Sequence, residues 1–254
     1  MQTNSLLSNT TVKKLVLIDN ETRIIAVSDK SQIHNLQLNE QGLVVKKENY
    51  TIGDFLNKST KFTNVQRNDQ ANFESISWNG KNLVAITGQN RWLYLLNTKT
   101  MQLEDVLRLK ERNSKCFLEY DSQTQANYVF ISQNEKIFKY KITDSTLQLV
   151  ATLIGHTDGI SHMTKDPNNG RLVSCGKDGS IHFWPQIGTK VDTSREIRPY
   201  FTLKTPGALS FCSFDNTGDK IVAVGGDDTQ HFAKNNPFLM MWDASETNKI
   251  PKEK

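Results

Sequence analysis

The thirty residues from Gly155 to Trp184, GHTDGISHMTKDPNNGRLVSCGKDGSIHFW, limit the fold of this chain more than any other stretch. Two turn signals stand inside it, Asp166-Pro167-Asn168-Asn169-Gly170 and Lys177-Asp178-Gly179. Each is flanked by short β-rich runs, Ile160 to Thr164, Arg171 to Cys175 and Ser180 to Trp184. Three short strands joined by two tight turns make an antiparallel meander. A chain built from such units is all-β.

With a Gly-His opening and a Trp closing the third strand, the stretch resembles one WD40 repeat. In that family a buried network ties His, Ser or Thr, Asp and Trp together inside one blade. The resemblance places these roles on His156, Ser174, Asp178 and Trp184. Buried polar groups need partners, and such a set supplies them mutually, so the four read as a folding device and not as a catalytic group. Pro185 follows Trp184 where the family usually has Asp.

A second copy is visible upstream. Val12–Leu36 aligns with Ile160–Trp184 without a gap, with Asp19-Asn20-Glu21 at the first turn and Ile33-His34 over Ile181-His182. Leu36 replaces the Trp and Lys30 replaces the Asp, so the strand pattern survives there without the network. Further units follow, and the whole chain, 1–254, reads as a single domain with units at 12–47, 72–109, 115–153, 155–204 and 207–243. A polar insertion is expected at 48–71 and a polar tail at 244–254.

The third-strand anchors Leu36, Leu95, Tyr140, Trp184 and Trp242 stand 59, 45, 44 and 58 residues apart. Blades of this type take roughly 40–45 residues, so no gap hides another. The expected fold is therefore a WD40-like β-propeller of about five four-stranded blades. The resemblance implies seven blades as a rule, sometimes six or eight, so an open or incomplete ring is expected, with a closed five-bladed ring as the alternative. Ser5 to Ser8 is the only closing strand on offer, shorter than a typical strand of five or six. A partner donating a strand or blade near Phe238–Trp242 would cover the edge left there.

Composition narrows function mainly by exclusion. Against 27 acidic residues stand 31 basic ones, a net charge of +4 spread along the chain, too diffuse for a nucleic-acid face. Lys136, Lys139 and Lys141 interleave with Phe138 and Tyr140, yet a half-exposed strand alternates in the same way. Three cysteines without short spacing argue against a disulfide framework or zinc knuckle. The start, MQTNSLLSNTTVKKL, lacks the basic and apolar regions of a secretory signal, and no apolar run reaches membrane-spanning length. Cytosol or nucleus is the expected location.

His162, Cys175 and His182 on adjacent strands could be imagined around a metal but lack ligand spacing, and Asp227, Asp228 and His231, which could bind a cation, read instead as a solvated loop. No phosphate loop, nucleophile elbow or H-E-x-x-H motif occurs, so no cofactor, metal or enzymatic activity is expected. The leading reading is a non-enzymatic interaction scaffold, a subunit of a larger protein assembly. The residues before each third strand, Lys30, Asn90, Asn134, Lys177 and Asp228, are the candidate partner-binding turns, because the resemblance puts them on the recognition face. The alternatives are a hydrolase-type propeller with a site among Lys14, Glu74, Glu119 and His162, and a nucleic-acid-associated propeller.

Overall fold

The structure, a computed structural model, describes residues 11–29, 31–57, 62, 65, 72–112, 114–143, 146–187, 196–226 and 237–244. Nearly all of its regular structure is strand. The first sheet runs β1 (Val12–Ile18), β2 (Arg23–Ser28), β3 (Gln32–Leu38) and β4 (Val44–Thr51), paired in that order. After α1 (Ile52–Asn57) the second sheet repeats the meander with β5 (Phe73–Trp78), β6 (Leu83–Gly88), β7 (Trp92–Asn97) and β8 (Gln102–Arg108).

The third sheet is built from β9 (Cys116–Asp121), β10 (Ala126–Gln133), β11 (Lys136–Thr143) and β12 (Thr146–Ile154). Then come β13 (Ile160–Lys165), β14 (Leu172–Gly176), β15 (Ser180–Phe183), β16 (Glu196–Ile197) and β17 (Phe201–Lys204), of which all but β16 form the fourth sheet. The last sheet holds β18 (Ala208–Phe214), β19 (Lys220–Gly226) and β20 (Phe238–Asp243).

The repeat read from the sequence is repeated in detail by the backbone. Register shifts interrupt the pairing at Val12/Lys14, Phe73/Ser75, Ile160/His162 and Leu209/Phe211, always near the start of a sheet's first strand. An extra residue there bends the strand and raises its local twist. The gapless alignment of Val12–Leu36 on Ile160–Trp184 carries the first of these bulges onto the third. The β1–β2 turn uses left-handed Asp19, Asn20 and Glu21, residue types that include two of the few tolerating positive φ.

Two expectations need correcting. The stretch 48–71 begins inside β4 and continues as a capped helix, so it is not simply a polar insertion. Thr51 Oγ1 accepts the Asp54 N–H at 3.2 Å and Asp54 accepts the Thr51 N–H at 2.7 Å, a reciprocal capping box. Second, the connector after Trp184 holds β16, which pairs parallel with β12 and gives the third sheet a fifth strand. The last sheet has three strands among the described residues, with β20 outermost. The closing candidate Ser5 to Ser8 lies outside the described residues.

The chain divides into two compact units, residues 1–130 with 141–148 and residues 131–140 with 149–254. In the first unit, Ile18, Ile25, Val27 and Ile33 from one face of the first sheet pack with Phe73, Val84, Ile86 and Tyr94 of the second. Ile52, Phe55 and Leu56 of α1 join that core. In the second unit, Val173, Cys175, Ile181 and Phe183 pack against Leu209, Cys212, Ile221 and Ala223. Alternation along each strand sends the opposite side chains the other way, and there the functional questions arise.

Candidate functional site

The network expected in the fourth sheet is complete. His156 sets Nδ1 against Asp178 at 3.0 Å and Nε2 against the Ser174 hydroxyl at 2.8 Å. The Trp184 indole N–H donates to the same Ser174 oxygen at 2.9 Å. Asp178 also accepts the backbone N–H groups of Thr157 at 2.9 Å and Ser180 at 3.0 Å, tying the entering loop to the β14–β15 turn. Burial opposes the Asp178 charge, but hydrogen bonds from His156, Ser180 and Thr157 outweigh it and hold the carboxyl below the usual range.

Close backbone approach explains two glycines. A Cβ on Gly176 would stand 2.9 Å from His156 Nδ1, and one on Gly155 would stand 2.9 Å from Pro199 and 3.3 Å from Trp184. Trp184 lies one residue beyond β15 but continues its ladder through Trp184 N–H to the Leu172 carbonyl, 3.0 Å.

A fifth member was not expected. His182 packs against His156 with ring centroids 4.2 Å apart and planes tilted by 59°, and sets Nδ1 against Thr202 Oγ1 at 2.8 Å. Burial, then the neighbouring His156, pushes its pKa down to about 4. The in-register pair His182–Thr202 was the only available signal, and it needs the β15–β17 pairing to be known. Ligand atoms of His156, Asp178 and His182 lie within 4.8 Å of one another. Both ring nitrogens of His156 are already engaged, so a cation there would have to break the network; the trio holds the blade together.

The other imagined set is not assembled. Cys175 is on the opposite face, in the apolar core beside Cys212, whose thiol is pushed well up by its hydrogen bond with Cys175 and by burial. His162 packs against Phe211, ring centroids 4.2 Å apart. Glu74, one of the residues weighed for a hydrolase site, is paired with Lys115 at 3.3 Å and accepts from Gln89 at 3.1 Å. Lys139, one of the three lysines read as an alternating basic strand, is 3% exposed and donates to the Ile187 carbonyl at 3.1 Å. It is thereby withdrawn from any nucleic-acid face.

Of the candidate turns, Lys30 and Asp228 lie outside the described residues, as do Asp227 and His231. Asn90 is half-buried and donates to the Tyr94 hydroxyl at 2.7 Å, which gives it a structural role that was not foreseen. Asn134 is exposed with φ of 55°, and its carbonyl accepts the Ile160 N–H at 3.2 Å. Lys177 is exposed, its backbone N–H held by the Gly159 carbonyl at 2.9 Å.

The last sheet presents a different surface. Its inner face carries Cys212 and Ala223 into the core, while the register sets Phe211, Val224 and Leu239 in one row of the outer face and Val222 and Met241 in the next. Leu239 is 70% exposed and Met241 58%. Among the described residues no strand pairs with the free edge of β20. The uninterrupted run Phe238-Leu239-Met240-Met241-Trp242 was the sequence signal, since a strand apolar on both faces is one that is covered on both.

Against known proteins, residues 147–185 match the family model described as WD domain, G-beta repeat. This chain carries a WD40 repeat. The matched span holds all but the first residue of β12 and the whole His156–Ser174–Asp178–Trp184 network. No curated protein matches the sequence. Among solved structures, the crystal structure of the C-terminal WD40 domain of Sif2 is similar, with a TM-score of 0.61 at 17% identity. The likeness covers 94% of this chain and 57% of that one, so this chain spans little more than half the length of that domain. It shows the fold, a WD40-type β-propeller with five blade sheets. WD40 propellers are typically protein-interaction scaffolds and generally not enzymes. No helix among the described residues is long and apolar enough to cross a membrane.

Proposed function

We propose that this chain is a non-enzymatic interaction scaffold, a subunit of a larger protein assembly whose partner covers the outer face of β18–β20 and adds a strand to the edge of β20. The observation that carries this reading is the exposure of Leu239 and Met241 on a strand with no outer neighbour among the described residues. Unpaired edge amides and an apolar face together form a template for strand addition, in which main-chain bonds give affinity and alternate side chains give specificity. Cytosol or nucleus, with its protein partners, is where such a subunit would work.

The test compares wild type with a Leu239→Glu, Met241→Glu double variant. Both side chains are exposed, so the melt should stay within about 0.5 kcal/mol. Affinity capture followed by mass spectrometry should recover a partner with wild type and lose it with the variant. In the purified complex the β20 amides should gain protection from hydrogen exchange. A captured partner that leaves β20 exchanging freely and is indifferent to both substitutions would overturn the reading.

A further inference from the structure

Among the described residues the large apolar side chains that stand exposed are Leu15, Leu17, Leu43, Val45, Phe211, Leu239 and Met241. The first four belong to the first sheet and its β3–β4 turn, the other three to the last sheet, and the described residues of the sheets between have none. Exposed apolar residues confined to the first and last members of a repeat are what end units present when they lack a neighbour.

The two faces are opposite halves of one packing pattern. The fourth sheet turns a leading face, Val173, Cys175, Ile181 and Phe183, onto the trailing face of the last sheet, Leu209, Cys212, Ile221 and Ala223. Aligning the shift at Leu209/Phe211 with that at Ile160/His162 puts Val222 and Val224 in the places of Val173 and Cys175. Met241 and Leu239, paired with Val222 and Val224, then stand where Phe183 and Ile181 are paired with Val173 and Cys175. Ile181 and Phe183 are fully buried, while Leu239 and Met241 are exposed in the same two places. The last sheet thus ends the repeat on an uncovered leading face. The shift at Val12/Lys14 aligns the first sheet in the same way, so Leu15, Ile24 and Ala26 take the places of Cys212, Ile221 and Ala223 on a trailing face. Leu15 is 53% exposed there, against 5% for Met163 at the matching place of the fourth sheet.

A leading face fits a trailing face by the contact the chain already makes between its fourth and last sheets. We propose that the outer face of β18–β20 is covered by the first sheet of a second copy of this chain, Leu239 and Met241 of one copy packing on Leu15 and Leu17 of the next. The proposal rests on the reading of β18–β20 as a docking surface and names its occupant. The contact is heterologous, joining two different patches, so each copy has one face to give and one to receive. Seven-residue strands set the size of the face. At ~3.3 Å per residue and ~4.8 Å between strands it is about 23 Å long and about 14 Å wide. That is the low end for a specific interface, which places the association in about the micromolar range.

Analytical ultracentrifugation of the purified full chain across the micromolar range tests this, with two double variants. Leu239→Glu with Met241→Glu removes the leading face, and Leu15→Glu with Leu17→Glu removes the trailing face. All four side chains are exposed, so both variants should melt like wild type. Should either melt lower, Thr in place of Glu at the same positions makes the same comparison. The average mass of wild type should rise with concentration, and each variant alone should stay a single copy. Mixed together, the two variants should form one-to-one pairs and nothing larger, because each supplies the face that the other lacks. Wild type that stays a single copy throughout, loss of association in the leading-face variant alone, or a mixture that forms no pairs would each overturn the proposal. A single-copy chain whose captured foreign partner is lost with Leu239→Glu and Met241→Glu would remove the second copy and keep the docking surface. Self-association that survives those two substitutions, together with a captured partner indifferent to them, would remove both.

Discussion

The first and fourth sheets share a strand pattern, a bulge and a buried third-strand histidine, but only the fourth has the polar network. His34 on β3 sets Nδ1 against Asn49 of β4 at 2.8 Å, as His182 on β15 does against Thr202 of β17. Opposite them on the second strand stand Ala26 and Ser174, and Leu36 stands where the other sheet has Trp184. A blade therefore forms without the network. What the fourth sheet gains is a tie between its entering loop, its β14–β15 turn and its third strand. The first sheet relies on the apolar core it shares with the second sheet and α1.

The largest effect should follow from removing the indole. Trp184 is fully buried, and Trp184→Ala should cost about 3–5 kcal/mol, more than Leu36→Ala at the matching place, which falls in the range of about 2–5 kcal/mol. Chemical denaturation of both variants checks the difference. Equal losses would mean that the network adds nothing to the packing of the anchor.

The next effect is acid sensitivity. His182 has a folded pKa of about 4 against 6.5 when free, so between these values the unfolded chain binds the extra proton. Stability is then full above pH 6.5 and falls as the pH drops toward 4, by up to about 3 kcal/mol. His182→Gln should flatten that segment of the stability–pH curve. A curve as steep in the variant as in wild type would remove His182 as the cause.

Asp178→Ala should cost about 1–3 kcal/mol by leaving His156 and the Thr157 and Ser180 amides without their acceptor. Hydrogen exchange should show those two amides opening first. Uniform loosening of the whole sheet would argue against a local tie.

These contrasts show what the sequence could and could not disclose. Strands were legible because alternation and turn residues are local: the anchors Leu36, Leu95, Tyr140 and Trp242 all fall within β3, β7, β11 and β20. The network was legible because its four residue types sit at set distances within one repeat. The helix α1 was missed although Thr51 and Asp54 have capping-box spacing and Ile52, Phe55 and Leu56 share a face, since six residues give periodicity little to register. The two residues of β16 offered nothing at all.

The smallest expected effect is the most informative about how the two sheets diverged. In the fourth sheet the Ser174 hydroxyl is occupied by His156 and Trp184 and is not offered to His182. His34 Nε2 is buried without a partner among the described residues, and none of these competes for a hydroxyl placed opposite it. Ala26 is 2% exposed and pairs in register with His34, so Ala26→Ser would set a hydroxyl beside that nitrogen. One net hydrogen bond is worth about 0.5–1.5 kcal/mol, and one added oxygen in a tight site offsets part of it. Ala26→Ser should therefore raise stability by about 0.5 kcal/mol, whereas the reverse change, Ser174→Ala, should lower it by about 1–3 kcal/mol. Nitrogen chemical shifts of His34 would report the new bond directly. If Ala26→Ser destabilised the chain and left those shifts unmoved, the two histidines would not occupy equivalent places, and the likeness of the first sheet to the fourth would be one of strand pattern only.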